Sequence, residues 1–198
     1  MPTKLCSGCG LTEKWCCCSQ IIPTHSSISF ALVLNENEPS RPTTTSKIVQ
    51  KALLNTQTII WQRAHEPSSL LKQINSPDTE AWLLFPADRT ELLSRQKPFN
   101  PTTNKKTLII VPDGTWKEVR KIVRKSPWLD QLPIIAFKSE HKTRYTLRRN
   151  KQNGQLCTAE AVSELLQQKG DIQAAQTLEK AFNQFMEAFH MQRHDQDV

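Results

Sequence analysis

The 198-residue sequence predicts an α/β fold: a mostly parallel sheet with helices on both faces, preceded by a small metal-binding element. Three observations carry this reading. Short apolar, β-branched runs alternate with helix-length segments, the pattern of strands buried on both sides. Beyond residue 158 the apolar positions fall at helical spacing. Five of the six cysteines crowd into residues 6–18.

The cysteines come first in the chain. Cys6 and Cys9 form a C-x-x-C pair, and Cys16 and Cys18 a C-x-C pair. Four thiolates at these spacings can close a tetrahedron around one zinc ion, with Gly8 and Gly10 allowing the tight turn. Cys17 is then the spare thiol, although spacing leaves open which of the adjacent three are ligands. A disulfide cluster or a redox pair ranks lower, because neither a secretory signal nor a thioredoxin-like strand–helix pattern surrounds the motif. A closed four-thiolate site is structural rather than catalytic. The expected organisation is a zinc-binding element over residues 1–20 and an α/β domain over 21–198.

Five strands are expected after it: Ile28–Leu34, Thr58–Trp61, Ala81–Phe85, Thr107–Val111 and Pro133–Phe137. Thr43, Thr44 and Thr45 offer N-cap hydroxyls to a helix carrying Ile48, Val49, Ala52 and Leu53. The polar stretch from Ser94 to Lys106, with Pro98 and Pro101, reads as a surface loop. Residues 138–155 are basic and turn-rich. A helix from Thr158, with Ala161, Val162, Leu165 and Leu166 on one stripe, breaks at Gly170. A second helix presents Leu178, Phe182, Phe185 and Phe189 as core, and the tail from His190 is expected to fray.

Lys and Arg total 26 against 19 Asp and Glu, a net charge of +7. That balance favours a polyanionic partner, RNA or DNA first. No apolar run approaches a membrane span, and the free-thiol cluster points to the reducing cytosol. The five histidines form no ligand cluster.

The segment Val111-Pro-Asp113-Gly114-Thr115-Trp116-Lys117-Glu118 follows a buried strand and opens a helix. Thr115 and Glu118 stand in capping-box register. Asp113 thus falls at the carboxyl end of a parallel strand, where open α/β sheets bind ligands. A carboxylate there can act as a base, and helix N-terminal amides can bind an anionic group. The plainer alternative is a turn with a core tryptophan. Lys117, Arg120, Lys121, Arg124 and Lys125 lie along the same helix, divided between its two flanks around the inward Val119, Ile122 and Val123. A further basic set, Arg144, Arg148, Arg149 and Lys151, surrounds Tyr145.

Asp113-Gly-Thr-Trp116 resembles the D-x-T-W signature of the DTW-domain family. The paired N-terminal cysteines resemble that family's opening. Glu38, Arg41, Thr43 and Thr45 match its H-x-x-E-x-x-R-x-T-N-T segment, with Asn35 in place of histidine and Thr44 in place of asparagine. Leu84-Phe-Pro86 is similar to its L-F-P element, Ser126-Pro127 to its S-P segment, and Tyr145-Thr-Leu-Arg148 to its Y-x-[IL]-R segment. Cys157-Thr158-Ala-Glu160-Ala161 is similar to its S-T-x-E-A motif. The matches run in chain order over nearly the whole sequence.

The resemblance implies a SPOUT-like, knotted fold that binds S-adenosylmethionine. It implies transfer of the donor's 3-amino-3-carboxypropyl group to N3 of a tRNA uridine. Asp113 would take the N3 proton. Val111, Pro112, Gly114, Thr115, Trp116, Leu156, Cys157, Thr158 and Glu160 would meet the donor. Arg41, Thr45, Tyr145, Arg148 and Arg149 would meet tRNA, and Arg41 or Arg148 would also suit the carboxylate of the transferred group. The partners are therefore tRNA and S-adenosylmethionine, with no membrane; a monomer is favoured over a dimer. Two rivals stand beside this reading: an RNA methyltransferase on the same kind of fold, and a non-enzymatic zinc-ribbon RNA-binding protein.

Overall fold

The strands are β1 (Ser29–Leu34), β2 (Thr56–Ile60), β3 (Thr79–Leu84), β4 (Lys106–Asp113) and β5 (Ile134–Ile135). They form one sheet in the order β2-β1-β4-β3-β5, and every pairing is parallel. The computed structural model describes residues 4–86, 89–136, 143, 145 and 156–196. Among them lie six α-helices: α1 (Ser46–Ala52), α2 (Ser68–Ile74), α3 (Thr90–Leu93), α4 (Trp116–Arg124), α5 (Thr158–Lys169) and α6 (Ile172–Gln196). The chain divides into two compact units. One contains residues 1–26, 40–54 and 139–198; the other contains residues 27–39 and 55–138 and holds the sheet.

In the sheet unit, Ala31, Val33, Leu83, Leu108 and Ile110 share a core with Leu70 and Ile74 of α2 and with Val119, Ile122 and Val123 of α4. The alternate residues Phe30, Leu32, Trp82 and Ile109 are buried as well. Both faces of the central strands are therefore covered, which is why these strands read as continuous apolar runs. Burying a side chain of this size contributes about 1.5–3 kcal/mol. Pro112 is tolerated inside β4 because the β3 ladder has already ended at Leu83 and Ile110. Its missing N–H costs no bond on that side. The Ser94–Lys106 connection is a loop up to the first residue of β4. It is held by Thr102, whose N–H and hydroxyl donate to Glu80 Oε2 at 2.7 and 2.6 Å. Phe99 also packs edge-on against Trp82.

In the other unit, α5 packs on α6, and α1 packs on both. Gly170 ends α5 at φ +82°, a conformation that favours glycine. Leu178, Phe182, Phe185 and Phe189 are buried, as the periodicity predicted.

Two expectations are corrected. The tail does not fray at His190, since α6 continues through Gln196. Gln192 is buried and accepts the N–H of Thr12 at 2.8 Å, and Asp195 pairs with Lys14 at 2.5 Å. Thr45 is the N-cap of α1, but its hydroxyl does not cap that helix. It accepts the N–H of Ala159 in the first turn of α5 at 3.2 Å, satisfying one of that helix's open donors. No helix among the described residues is long and apolar enough to cross a membrane.

Candidate functional site

In the sheet unit, β4 extends through Asp113 itself, and Gly114 and Thr115 turn directly into α4. The expected capping box forms. Thr115 Oγ1 accepts from Glu118 N at 3.4 Å, and Glu118 Oε2 accepts from Thr115 N at 2.8 Å. Gly114 sits at φ +152°. A Cβ there would lie 3.1 Å from Glu118 Oε2 and 3.4 Å from Asn35 Cβ. Glycine thus lets the turn run close under the capping carboxylate. Asp113 is only 2 % exposed, and its Oδ1 accepts Gly114 N at 3.0 Å. Val111 and Pro112 are buried, Trp116 is half-buried and Thr115 is exposed. Among the described residues the buried Nε1 of Trp116 has no hydrogen-bond partner, an open donor beside the signature turn.

In the other unit, the start of α5 repeats the capping pattern. Glu160 Oε2 accepts Cys157 N at 2.9 Å and the hydroxyl of Thr143 at 2.7 Å. That oxygen, which the family resemblance assigns to the donor, caps the start of α5 and also holds Thr143. Burial, reinforced by the Glu160 charge, pushes the Cys157 thiol well above its ordinary range, so it stays protonated and is no nucleophile. Leu156 is half-buried, and Thr158 is buried. Tyr145 is 2 % exposed, its hydroxyl donates to Thr43 O, and its ring lies against Phe182. A ring so covered offers no face for stacking on a base. Arg41 is half-buried and Thr45 buried. Arg148 and Arg149, with Arg144 and Lys151, lie outside the described residues.

The same unit holds the cysteines, all six as free thiols. The sulfurs of Cys6, Cys9, Cys16 and Cys18 lie within 4.8 Å of one another. Cys6–Cys16 is 3.4 Å, Cys6–Cys18 3.7 Å and Cys9–Cys16 3.8 Å. A tetrahedral ion with metal–sulfur distances of about 2.3 Å needs sulfurs about 3.8 Å apart. The four thiols can hold a metal ion and suit zinc. A Cβ on Gly8 would stand 2.7 Å from Cys18 Sγ and 2.6 Å from Lys51 Cε, so the loop closes over the sulfurs only because that position has no side chain. The Cys17 thiol, by hydrogen bonding, holds Cys9 down to about 4, while burial raises Cys16 and Cys18. Cys17 is buried and outside the set of four, and its bond to Cys9 raises it.

The family model of the DTW domain matches residues 3–190. The chain belongs to the DTW domain family. No solved structure matches it significantly.

Membership in the DTW family points to a role in tRNA modification. The structure brings Val111, Pro112, Asp113, Gly114, Thr115 and Trp116 together at one strand–helix turn. It places Thr45, Cys157, Thr158 and Glu160 around the start of α5, in the other unit. Reading the sequence missed two participants. Thr143, which anchors Glu160, lies in a turn-rich stretch with no periodic signal. Gln192, which ties the cysteine loop to α6, lies in the segment expected to fray.

Proposed function

We propose that this DTW-domain protein transfers the 3-amino-3-carboxypropyl group of S-adenosylmethionine to N3 of a tRNA uridine. The observation that carries the reading is the D-G-T-W turn: Asp113, buried at the end of a parallel strand, beside a capped helix start, in a chain that matches the DTW domain almost throughout. The three carbons on the donor's sulfonium are all electrophilic, so positioning selects the one attacked. The bond from N3 to the carboxypropyl γ-carbon forms, the sulfur–carbon bond breaks, and methylthioadenosine leaves. Asp113 receives the N3 proton. Val111, Pro112, Gly114, Thr115 and Trp116 are the proposed donor contacts on one segment, and Leu156, Cys157 and Thr158 those on the other. Arg41, Arg148 and Arg149 are the proposed anion contacts, and the knotted topology implied by the family belongs to the same reading.

The Cys6, Cys9, Cys16 and Cys18 site holds structural zinc in this reading, since four thiolates leave no open position for substrate. Reduced thiols of this kind suit the cytosol.

Incubation with S-adenosylmethionine and unmodified tRNA, followed by nucleoside mass analysis, tests the reaction. A uridine carrying the aminocarboxypropyl mass supports it. Methylated uridine alone, or tRNA left unmodified under conditions where the protein binds both substrates, refutes it.

A further inference from the structure

One cavity in the sheet unit, of about 320 Å³, is lined by Arg89, Lys117, Arg120, Lys121 and Arg124. All five are cationic. The cavity reaches the lower end of the ~300–1,000 Å³ range of ligand clefts, and among the described residues every side chain lining it ends in a positive charge. Such a wall favours an anion.

Four of the five residues stand at i, i+3, i+4 and i+7 on α4, one face of the helix rather than the two flanks that the sequence pattern suggested. Arg89, immediately before α3, closes the set from a separate element. Lys121 Nζ lies 5.6 Å from the centre of the Trp61 ring, which is itself fixed by donation of Nε1 to Ser126 Oγ at 2.8 Å. Among the described residues Lys117, Lys121 and Arg124 form no ion pair, and the one ion pair of Arg89, to Glu91, is long at 3.7 Å. Concentrating this much like charge in one cleft favours a polyanionic partner.

The shape of the patch separates a polyanion from a single phosphate. Lys117 to Arg124 spans about 10 Å of helix axis at 1.5 Å per residue. That length is too great for one phosphate group and suits more than one phosphate of a nucleic-acid strand.

We propose that this cleft seats the sugar–phosphate backbone of the RNA substrate, with Arg89 and the basic face of α4 gripping consecutive phosphates. The inference rests on the reading that the chain acts on tRNA.

The test is tRNA binding across a salt series by fluorescence anisotropy, for wild type, for Lys117→Glu/Arg124→Glu and for Arg89→Glu. All three substituted side chains are exposed, and Arg89 lies outside α4, so the two variants do not share a folding risk. Thermal melting confirms that each is folded. The expected result is affinity weaker by roughly tenfold or more, and a log–log salt slope reduced by about 0.7–0.9 per lost contact. Wild-type affinity and slope in both folded variants would overturn the proposal. So would a loss confined to an added acidic polypeptide, which would assign the cleft to a protein partner. The reaction proposed above fails separately: tRNA would bind through this cleft yet acquire no donor-derived group.

Discussion

The backbone N–H of Asn35 donates to the carbonyl of Asp113 at 3.0 Å. The residue after β1 and the last residue of β4 are thereby joined. Asp113 is held by its main chain on the β1 side, and its carboxylate caps the Gly114 amide locally. An amide oxygen can also accept that bond, more weakly than a carboxylate. Asp113→Asn should therefore keep the turn, the stability and the donor affinity. Single-turnover transfer should fall by about 10²–10⁴-fold, the loss typical of a missing general base. Near-normal chemistry in the folded variant would remove Asp113 from the mechanism.

Gly114→Ala tests the turn rather than the chemistry. The added methyl forces a positive φ on an L-residue and presses against Glu118 and Asn35. A destabilisation of about 1–3 kcal/mol is expected, read as a lower denaturant midpoint. An unchanged midpoint would mean that the turn relaxes without cost.

Metal content separates the ligands from the spare cysteine. Cys6→Ser and Cys16→Ser should lose the ion by elemental analysis, while Cys17→Ser should retain one equivalent. Gly8→Ala should also weaken retention, because its methyl would push on Cys18 Sγ. Protein prepared in reducing buffer with no metal, or with a disulfide between the pairs, would contradict the zinc assignment.

Glu80 supplies a pH test. Its partial burial raises the carboxyl pKa, but the two Thr102 bonds, with smaller contributions from Trp82 and the Lys105 charge, together hold it below the ordinary carboxylate value. A depressed folded-state pKa means stability that is present above the unfolded value, about 4.3, and lost as pH falls through the folded one. Glu80→Gln should flatten part of the acid limb of the stability–pH curve below about pH 4.3. Thr102→Val, which removes the hydroxyl bond, should flatten it less. Identical acid limbs in wild type and Glu80→Gln would show that this pair does not couple to folding.

What was legible in the sequence depended on how local the determinant is. The strands β1 and β4 declared themselves because both of their faces are buried, leaving unbroken runs such as Leu108-Ile-Ile-Val111. The Thr115–Glu118 cap was readable because its partners are three residues apart. Helix α2 was missed: only Leu70 and Ile74 are fully buried there, too few for a periodic signal. The hydroxyl of Thr45 was assigned to the wrong helix because its partner, Ala159, is 114 residues away. The tail looked ready to fray because Thr12 and Lys14, which bind it, lie some 180 residues upstream. The four metal-site cysteines were found by spacing alone, whereas the burial of Tyr145 against Phe182 is a tertiary fact that no short motif carries. The clustering of Arg89 with α4 is hidden for the same reason.

Which carbon of the donor moves is the central question, and isotope placement answers it most directly. Two preparations of S-adenosylmethionine are needed, one labelled in the methyl carbon and one in the carboxypropyl chain. Each is incubated with the protein and unmodified tRNA, and the label in isolated nucleosides is counted. Carboxypropyl label should enter a uridine while methyl label stays with the released thioether. Methyl label in the tRNA, with carboxypropyl label left behind in the demethylated donor, would contradict the assignment and make the protein a methyltransferase.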